Sequence, residues 1–207
     1  RYAGGGCIPG LAHGGGMSGA DPAIQTVAAE IARAIWNRRQ ISPITARDPR
    51  FDIEQAYAVT TELRRLRIRH GETPLGRKIG FTNRSIWADY GVSAPMWGDI
   101  YDSTTCNIGC KAICNLSRVS EPQIEPEIVF GFARAPSADM DERAMLGCVE
   151  WVAHGFEIVQ SIFPKWKFKL ADTIAAGGLH GALMIGPRHR IEDLSSNEWA
   201  SALKGFE

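Results

Sequence analysis

The sequence predicts an α+β fold, with N-terminal helices followed by a mixed β-sheet body, and two observations carry that prediction. Up to about residue 70 apolar residues recur at helical spacing, whereas from Lys78 to Phe132 short apolar runs are broken by glycine and proline. Helices grouped ahead of a strand-rich stretch, with further helices on one side of it, fit segregated layers rather than alternating β–α units. The chain has 207 residues, 44% of them hydrophobic, enough to bury one substantial core, so a single domain is expected over residues 21–207. Residues 1–20 carry two glycine triplets and no initial methionine, and read as a disordered leader or an artificial extension, with Met17 as the better start.

Taken in order, Asp21-Pro22 opens a helix as a cap followed by a first-turn proline, and Ile24, Val27, Ala28, Ile31 and Ile35 continue it toward Gln40. Ser42-Pro43 and Asp48-Pro49 mark a loop. Asp52 caps a second helix with Ile53, Ala56, Tyr57, Thr60 and Leu63 on one face and Gly71 as its stop. A brief helical stretch near Ser85 to Tyr90 interrupts the strands. Asp139 and Glu142 resemble a capping box, which predicts a helix through Met145 and Val149 to about Val152. A strand bearing Glu157, a short helix around Lys167 to Ala175 and a strand over Ala182 to Ile185 complete the series.

Lys plus Arg equals Asp plus Glu at 23 each, and a net charge of zero offers no electrostatic reason to expect nucleic acid or an anionic membrane as partner. No apolar run approaches the length of a membrane span. Arg64, Arg65, Arg67 and Arg69 fall within one helix and read as a solvated face. Five cysteines, an odd number without an export signal, favour reduced thiols and a cytoplasmic location. The spacing Cys106-x3-Cys110-x3-Cys114 lacks the two-residue spacing and fourth ligand of a zinc or iron–sulfur site, so these read as small half-buried residues.

The chemistry concentrates in Gln-Ile-Glu-Pro-Glu-Ile-Val-Phe (residues 123–130) and His-Gly-Phe-Glu-Ile-Val-Gln (154–160). In an extended segment Glu125 and Glu127 project from one face, and Pro126 between them favours that backbone. Glu157 sits in an apolar run that reads as a buried strand, where an unpaired carboxylate is costly. Three such oxygens suit a hard divalent cation, Mg²⁺ or Mn²⁺, better than zinc or copper. The alternative is an edge strand with a wet glutamate face and Glu157 paired to an arginine.

Further motifs stand in register with these: Gly76-Arg77-Lys78-Ile79-Gly80, Trp97-Gly98-Asp99-Ile100-Tyr101, Leu170-Ala171-Asp172-Thr173-Ile174-Ala175 and His180-Gly181-Ala182-Leu183-Met184-Ile185-Gly186. From about Ile24 to Gly186 the series resembles the 2-keto-4-pentenoate hydratase / 4-oxalocrotonate decarboxylase family of the fumarylacetoacetate hydrolase superfamily. The resemblance implies a rolled mixed sheet with the metal in its mouth, held by Glu125, Glu127 and Glu157, and Lys78 facing the substrate. It implies a small 2-oxo or 2-hydroxydienoic acid as substrate: 2-hydroxypenta-2,4-dienoate ketonises, and water adds at C4 to give 4-hydroxy-2-oxopentanoate. Asp172 is the candidate for proton handling, against a surface carboxylate paired with Lys169. His180 is the candidate for substrate contact near the pocket mouth, against an ordinary half-buried histidine.

The family often reads Glu-Ile-Val-Asp-Ser and Ala-Asp-Asn where this chain has Gln160, Ala176 and Gly177, which leaves the metal set intact and the substrate open. A decarboxylase of a 2-oxo-hexenedioate would use the same metal. A fumarylacetoacetase-like hydrolase would want a His–Glu pair, and the stretch between the first two helices contains no histidine. Family members continue beyond the position of Glu207, so the sheet is expected to lack its last strands and to expose an apolar edge. A homo-oligomer or a complex with a related decarboxylase or hydratase subunit is the assembly expected, and the alternative of another class is a non-catalytic partner subunit or an inactive fragment.

Overall fold

The computed structural model describes residues 21–90, 92–109 and 113–193, so the expectations for residues 1–20 and for Cys110 lie outside the described residues. Asp21 accepts a 2.8 Å hydrogen bond from the Ala23 N–H, and with Pro22 in the first turn this starts α1 (Pro22–Asn37) as predicted. Arg38, in the left-handed region at φ 53°, closes it. A single helical turn, α2 (Ile44–Arg47), lies in the predicted loop. In α3 (Ile53–Arg69) the cap is reciprocal: the Gln55 N–H donates to Asp52 at 2.9 Å while the Asp52 N–H donates to the Gln55 side chain at 3.2 Å. The buried faces of α1 and α3 meet α6 (Leu170–Ala175) around Ile31, Val59, Leu63, Ile162, Phe163 and Ile174.

Two sheets stand on this layer. In the smaller, β1 (Pro74–Gly80) pairs antiparallel with β2 (Met96–Tyr101), and between them α4 (Trp87–Tyr90) forms where a brief helix was expected. The larger sheet runs β3 (Thr105–Asn107), β6 (His180–Ile185), β5 (Val149–Val159), β4 (Gln123–Phe132), with β7 (His189–Arg190) also on β5. Strands β3 and β6 are parallel and the other pairs antiparallel, so the sheet is mixed and the fold is α+β, as the sequence predicts.

Two expectations are corrected. The helix predicted from Asp139 to Val152 is only α5 (Glu142–Leu146), capped by Asp141, whose side chain accepts from Ala144 N–H at 2.7 Å. Val149 begins strand β5 instead, because Val149–Val152 pairs with Phe132–Phe130 and that ladder outweighs the helical spacing of Met145 and Val149. The arginine series on α3 is not simply a solvated face. Arg67 is buried, donates to Glu72 at 2.6 Å and lies over the Tyr101 ring at 3.9 Å, while Arg64 reaches the buried Asp99 at 2.5 Å.

Alternation along β4 and β5 gives the larger sheet two unlike faces. Glu125, Glu127 and Glu157 share one; Ile124, Phe156 and Ile158 take the other and line an apolar groove of about 620 Å³ with Met184 and Leu116. Ile124 and Phe156 are exposed there.

Phe163 anchors the core shared by the helices and is fully buried. Phe163→Ala is expected to cost about 3 to 5 kcal/mol of unfolding free energy in denaturant titration. A loss below about 1 kcal/mol would show that the helical layer is not packed as described.

Candidate metal centre

The site follows from strand register. Glu125 lies directly opposite Glu157 across the β4–β5 ladder, and Glu127 lies opposite Gly155, so period-two alternation places all three carboxylates on one face. One ligand oxygen from each lies within 4.8 Å of the others. Ligand oxygens at about 2.0 to 2.6 Å from a common ion span distances of this size. With carboxylates alone the set suits Mg²⁺ or another hard cation and offers nothing that selects zinc or copper.

Glu157 is the buried member, and both its oxygens are engaged. Lys78 Nζ on β1 donates to Oε2 at 2.6 Å, and His180 Nδ1 on β6 bonds Oε1 at 2.8 Å. Burial alone would push this carboxyl up, but the His180 hydrogen bond and the Lys78 charge outweigh it and hold Glu157 below the ordinary carboxyl value. Glu127 behaves oppositely. Partial loss of hydration, and then the Glu157 charge, push it from 4.5 to about 6 against the pull of Lys78. Glu125 is raised too, by desolvation first and Glu157 after it, with Lys78 opposing. Two carboxyls that resist ionising beside a third that is ionised lack positive charge, which a divalent cation would supply.

Lys78 reaches this face through close backbone packing. A side chain on Gly98, its partner across the β1–β2 pair, would come within 2.4 Å of the Gly177 carbonyl oxygen. Gly177 and Gly178 follow α6 at φ 67° and 71°, and a side chain on Gly178 would press on Lys78 Cδ at 3.3 Å.

His180 is placed differently from the sequence expectation. It is buried rather than at a pocket mouth, and bonds Glu157 and, through Nε2, Thr104 Oγ1 at 2.8 Å. Desolvation lowers its pKa, against the hydrogen bond to Glu157, so the ring is neutral. A carboxylate only accepts, so Nδ1 carries the proton toward Glu157, while Nε2 meets the Thr104 hydroxyl, which also reaches the Tyr101 carbonyl at 3.0 Å. Asp172 is neither a surface carboxylate paired with the Lys169 ammonium nor open to solvent. Fully buried, it accepts from Thr45 N–H at 3.0 Å, Thr45 Oγ1 at 2.6 Å and Lys169 N–H at 2.9 Å, tying α2 to the start of α6. Both oxygens are occupied by structural donors. Thr104 and Gly178 stand in no motif that marks them for the site, and the Gly-Gly pair after α6 is the one sequence signal for the left-handed turn there.

No family model matches the chain. Curated relatives do. A 2-hydroxyhexa-2,4-dienoate hydratase of Comamonas testosteroni is 31% identical over 169 residues, 80% of this chain and 63% of that protein. The chain is similar to dienoate hydratases. A 2-hydroxypent-2,4-dienoate hydratase of Pseudomonas putida is 28% identical over 158 residues, 76% of this chain and 71% of the relative. A 4-oxalocrotonate decarboxylase of Pseudomonas sp is 29% identical over 156 residues, 75% of this chain and 60% of the relative. The fold matches the solved 4-oxalocrotonate decarboxylase from Pseudomonas putida G7, complexed with magnesium and adipate, at a TM-score of 0.74 and 23% identity, over 83% of this chain and 65% of that one. The hydratase–decarboxylase resemblance read from the motifs is thus met by both kinds of relative, and the chain spans 63% of the length of the first of them.

The raised carboxyl of Glu127 fixes a pH dependence. Below about 6 it is protonated and cannot serve as a ligand, so Mg²⁺ affinity measured by calorimetry is expected to rise as pH increases through 6 and to level off above it, with protons released on binding at the lower pH. For stability the sign is reversed: a carboxyl raised from 4.5 to about 6 favours the protonated folded state, so the cation-free chain loses stability across that interval as pH rises. Saturating Mg²⁺ should remove that loss. Melting curves at pH 5 and pH 7, with and without the cation, check this. An affinity that does not change between those values would show that Glu127 is not a ligand.

Asp172→Asn keeps the shape but turns one acceptor into a donor facing Thr45 or Lys169. It is expected to lower stability by about 1 to 3 kcal/mol while leaving Mg²⁺ affinity unaltered. Unchanged stability with lost turnover would restore the proton-handling role.

Proposed function

We propose that this chain belongs to a divalent-cation-dependent hydratase acting on a 2-hydroxy-2,4-dienoate, of the kind that arises in aromatic-compound catabolism, and giving a 4-hydroxy-2-oxo acid. The observation that carries the reading is the convergence of Glu125, Glu127 and Glu157 beside Lys78, in a chain similar to curated dienoate hydratases. Glu125, Glu127 and Glu157 are the residues that would hold Mg²⁺ or Mn²⁺. The cation would act there as a Lewis acid toward the keto oxygen of a 2-oxo acid.

Three carboxylates exceed the charge of one divalent ion, so an anionic substrate needs a further positive group at the site. Lys78 supplies it. Its ammonium reaches the Glu157 carboxylate at 2.6 Å, and a substrate carboxylate approaching the same place would exchange one anionic partner for another without leaving the lysine uncompensated. Lys78 is the candidate group for substrate binding and for charge stabilisation during reaction. His180 and Asp172 hold other groups in place.

A decarboxylase of a 2-oxo-hexenedioate is the second reading, favoured by the similarity to the 4-oxalocrotonate decarboxylase of Pseudomonas sp and by the matching fold of the Pseudomonas putida G7 enzyme. No helix among the described residues is long and apolar enough to cross a membrane. A cytoplasmic, homo-oligomeric enzyme, or one paired with a related hydratase or decarboxylase subunit, is the assembly this reading favours.

The test is consumption of 2-hydroxypenta-2,4-dienoate followed by ultraviolet absorbance, with product identified by NMR. Mg²⁺-dependent formation of 4-hydroxy-2-oxopentanoate supports the hydratase. CO₂ release from a 2-oxo-hexenedioate without dienoate hydration favours the decarboxylase. Lys78→Ala is expected to lower turnover by about 100-fold or more, as for the loss of a charge-stabilising group. Cation affinity should be no weaker in that variant, because Lys78 competes for the same Glu157 oxygen. Turnover within about threefold of the unmodified chain would remove Lys78 from the mechanism.

A further inference from the structure

His180 is held at more points than packing requires. Its Nδ1 bonds Glu157 Oε1 at 2.8 Å, its Nε2 bonds Thr104 Oγ1 at 2.8 Å, and its backbone carbonyl accepts from Gln160 Nε2 at 3.1 Å. Gln160, one of the positions where this chain departs from the family pattern, is itself buried and accepts from the Ser120 N–H at 3.2 Å through its other end. The approach to His180 is strained. Gly177, Gly178 and Leu179 all have positive φ, at 67°, 71° and 60°, and Leu179 pays for that conformation with a side chain that disfavours it. Thr104 is anchored in turn, because the turn that carries it begins at Asp102, whose side chain accepts from the Thr73 N–H at 2.8 Å, and continues through Ser103, whose hydroxyl bonds Glu72.

We infer that His180 is a positioning residue of the metal centre, braced by Thr104, which fixes the Glu157 carboxylate and thereby sets the affinity for the divalent cation. A glutamate side chain has several rotatable bonds, and a ligand that must be ordered on binding gives up affinity. With Oε1 held by His180, rotation of the carboxylate is blocked and Oε2, the oxygen shared with Lys78, is the one left to be offered to an ion. Outer groups that orient metal ligands act in this way, and their removal typically costs about 10- to 100-fold in affinity. The inference rests on the metal-centre reading above and adds to it residues outside the carboxylate set.

The experiment is calorimetric titration of the 207-residue chain and three variants with MgCl₂, alongside circular dichroism and thermal melting to establish folding. His180→Ala removes the donor and is expected to weaken Mg²⁺ binding by about 10- to 100-fold. His180→Asn places an amide N–H where Nδ1 stood and loses only the brace to Thr104. It should recover most of what alanine loses, falling short of the unmodified chain by about threefold to tenfold, and Thr104→Val, which loses the same brace, should match it. A purely structural role does not predict rescue by asparagine. A folded His180→Ala chain with unchanged affinity overturns the inference, as does a His180→Asn chain as weak as the alanine variant. Should His180→Ala fail to fold, Thr104→Val with unchanged affinity overturns it equally. If the unmodified chain binds no Mg²⁺, the metal-centre reading itself falls, an outcome distinct from unequal variants of a chain that does bind.

Discussion

The buried carboxylate of Glu157 is the constraint on which the rest of the arrangement depends. An ion of that size taken out of water without partners costs several kcal/mol, and removing one partner of such a group is more destructive than never having made it. The chain meets this by bringing Lys78 from β1 and His180 from β6 onto the two oxygens, at 2.6 and 2.8 Å. Those contacts fix how the small sheet stands against the large one. Glycine at 98 then follows as a steric necessity, since a side chain there would strike the Gly177 backbone, while one at 178 would crowd the lysine stem and 177 needs glycine for its positive φ.

The helical layer serves the site at one remove. Asp172 locks α2 to the head of α6, and α6 delivers the left-handed run that turns the chain into β6 and presents His180. At the other end of α3, buried Arg67 pairs with Glu72 at 2.6 Å. Burial would raise the Glu72 carboxyl, but the hydrogen bonds from Arg67 and Ser103 hold it below its ordinary value. Through Ser103 this pair steadies the turn that bears Thr104. Residues outside the carboxylate set thus stand behind the elements that carry His180 and Thr104.

The opposite signs of the pKa displacements within one carboxylate set have a single cause. Glu157 is closest to the positive partners and stays ionised, and its charge is then part of what raises Glu127 to about 6. An ion of charge +2 among them removes the conflict, and oxygen-only ligation limits the choice to hard cations. The same face offers Lys78 as the counter-charge for an anion. On the reverse face Ile124, Phe156, Ile158 and Met184 present apolar surface, so the strands that carry the candidate chemistry are two-sided in character.

What the sequence determined by itself were features with short-range causes. The caps at Asp21 and Asp52, the period-two projection of Glu125 and Glu127 and the break from helical to strand patterning all follow from neighbours within a few residues. The Met145–Val149 spacing misled for the same reason: it is locally helical, and only the ladder to β4 makes Val149 a strand residue. Roles that depend on distant partners were settled by tertiary structure alone. His180 meets Glu157 and Thr104 from 23 and 76 positions away, Lys78 meets Glu157 across 79, and Asp172 meets Thr45 across 127. Local pattern can mark such side chains as chemically able, but their partners are chosen by strand register and the packing of α6, which no window of neighbouring residues contains.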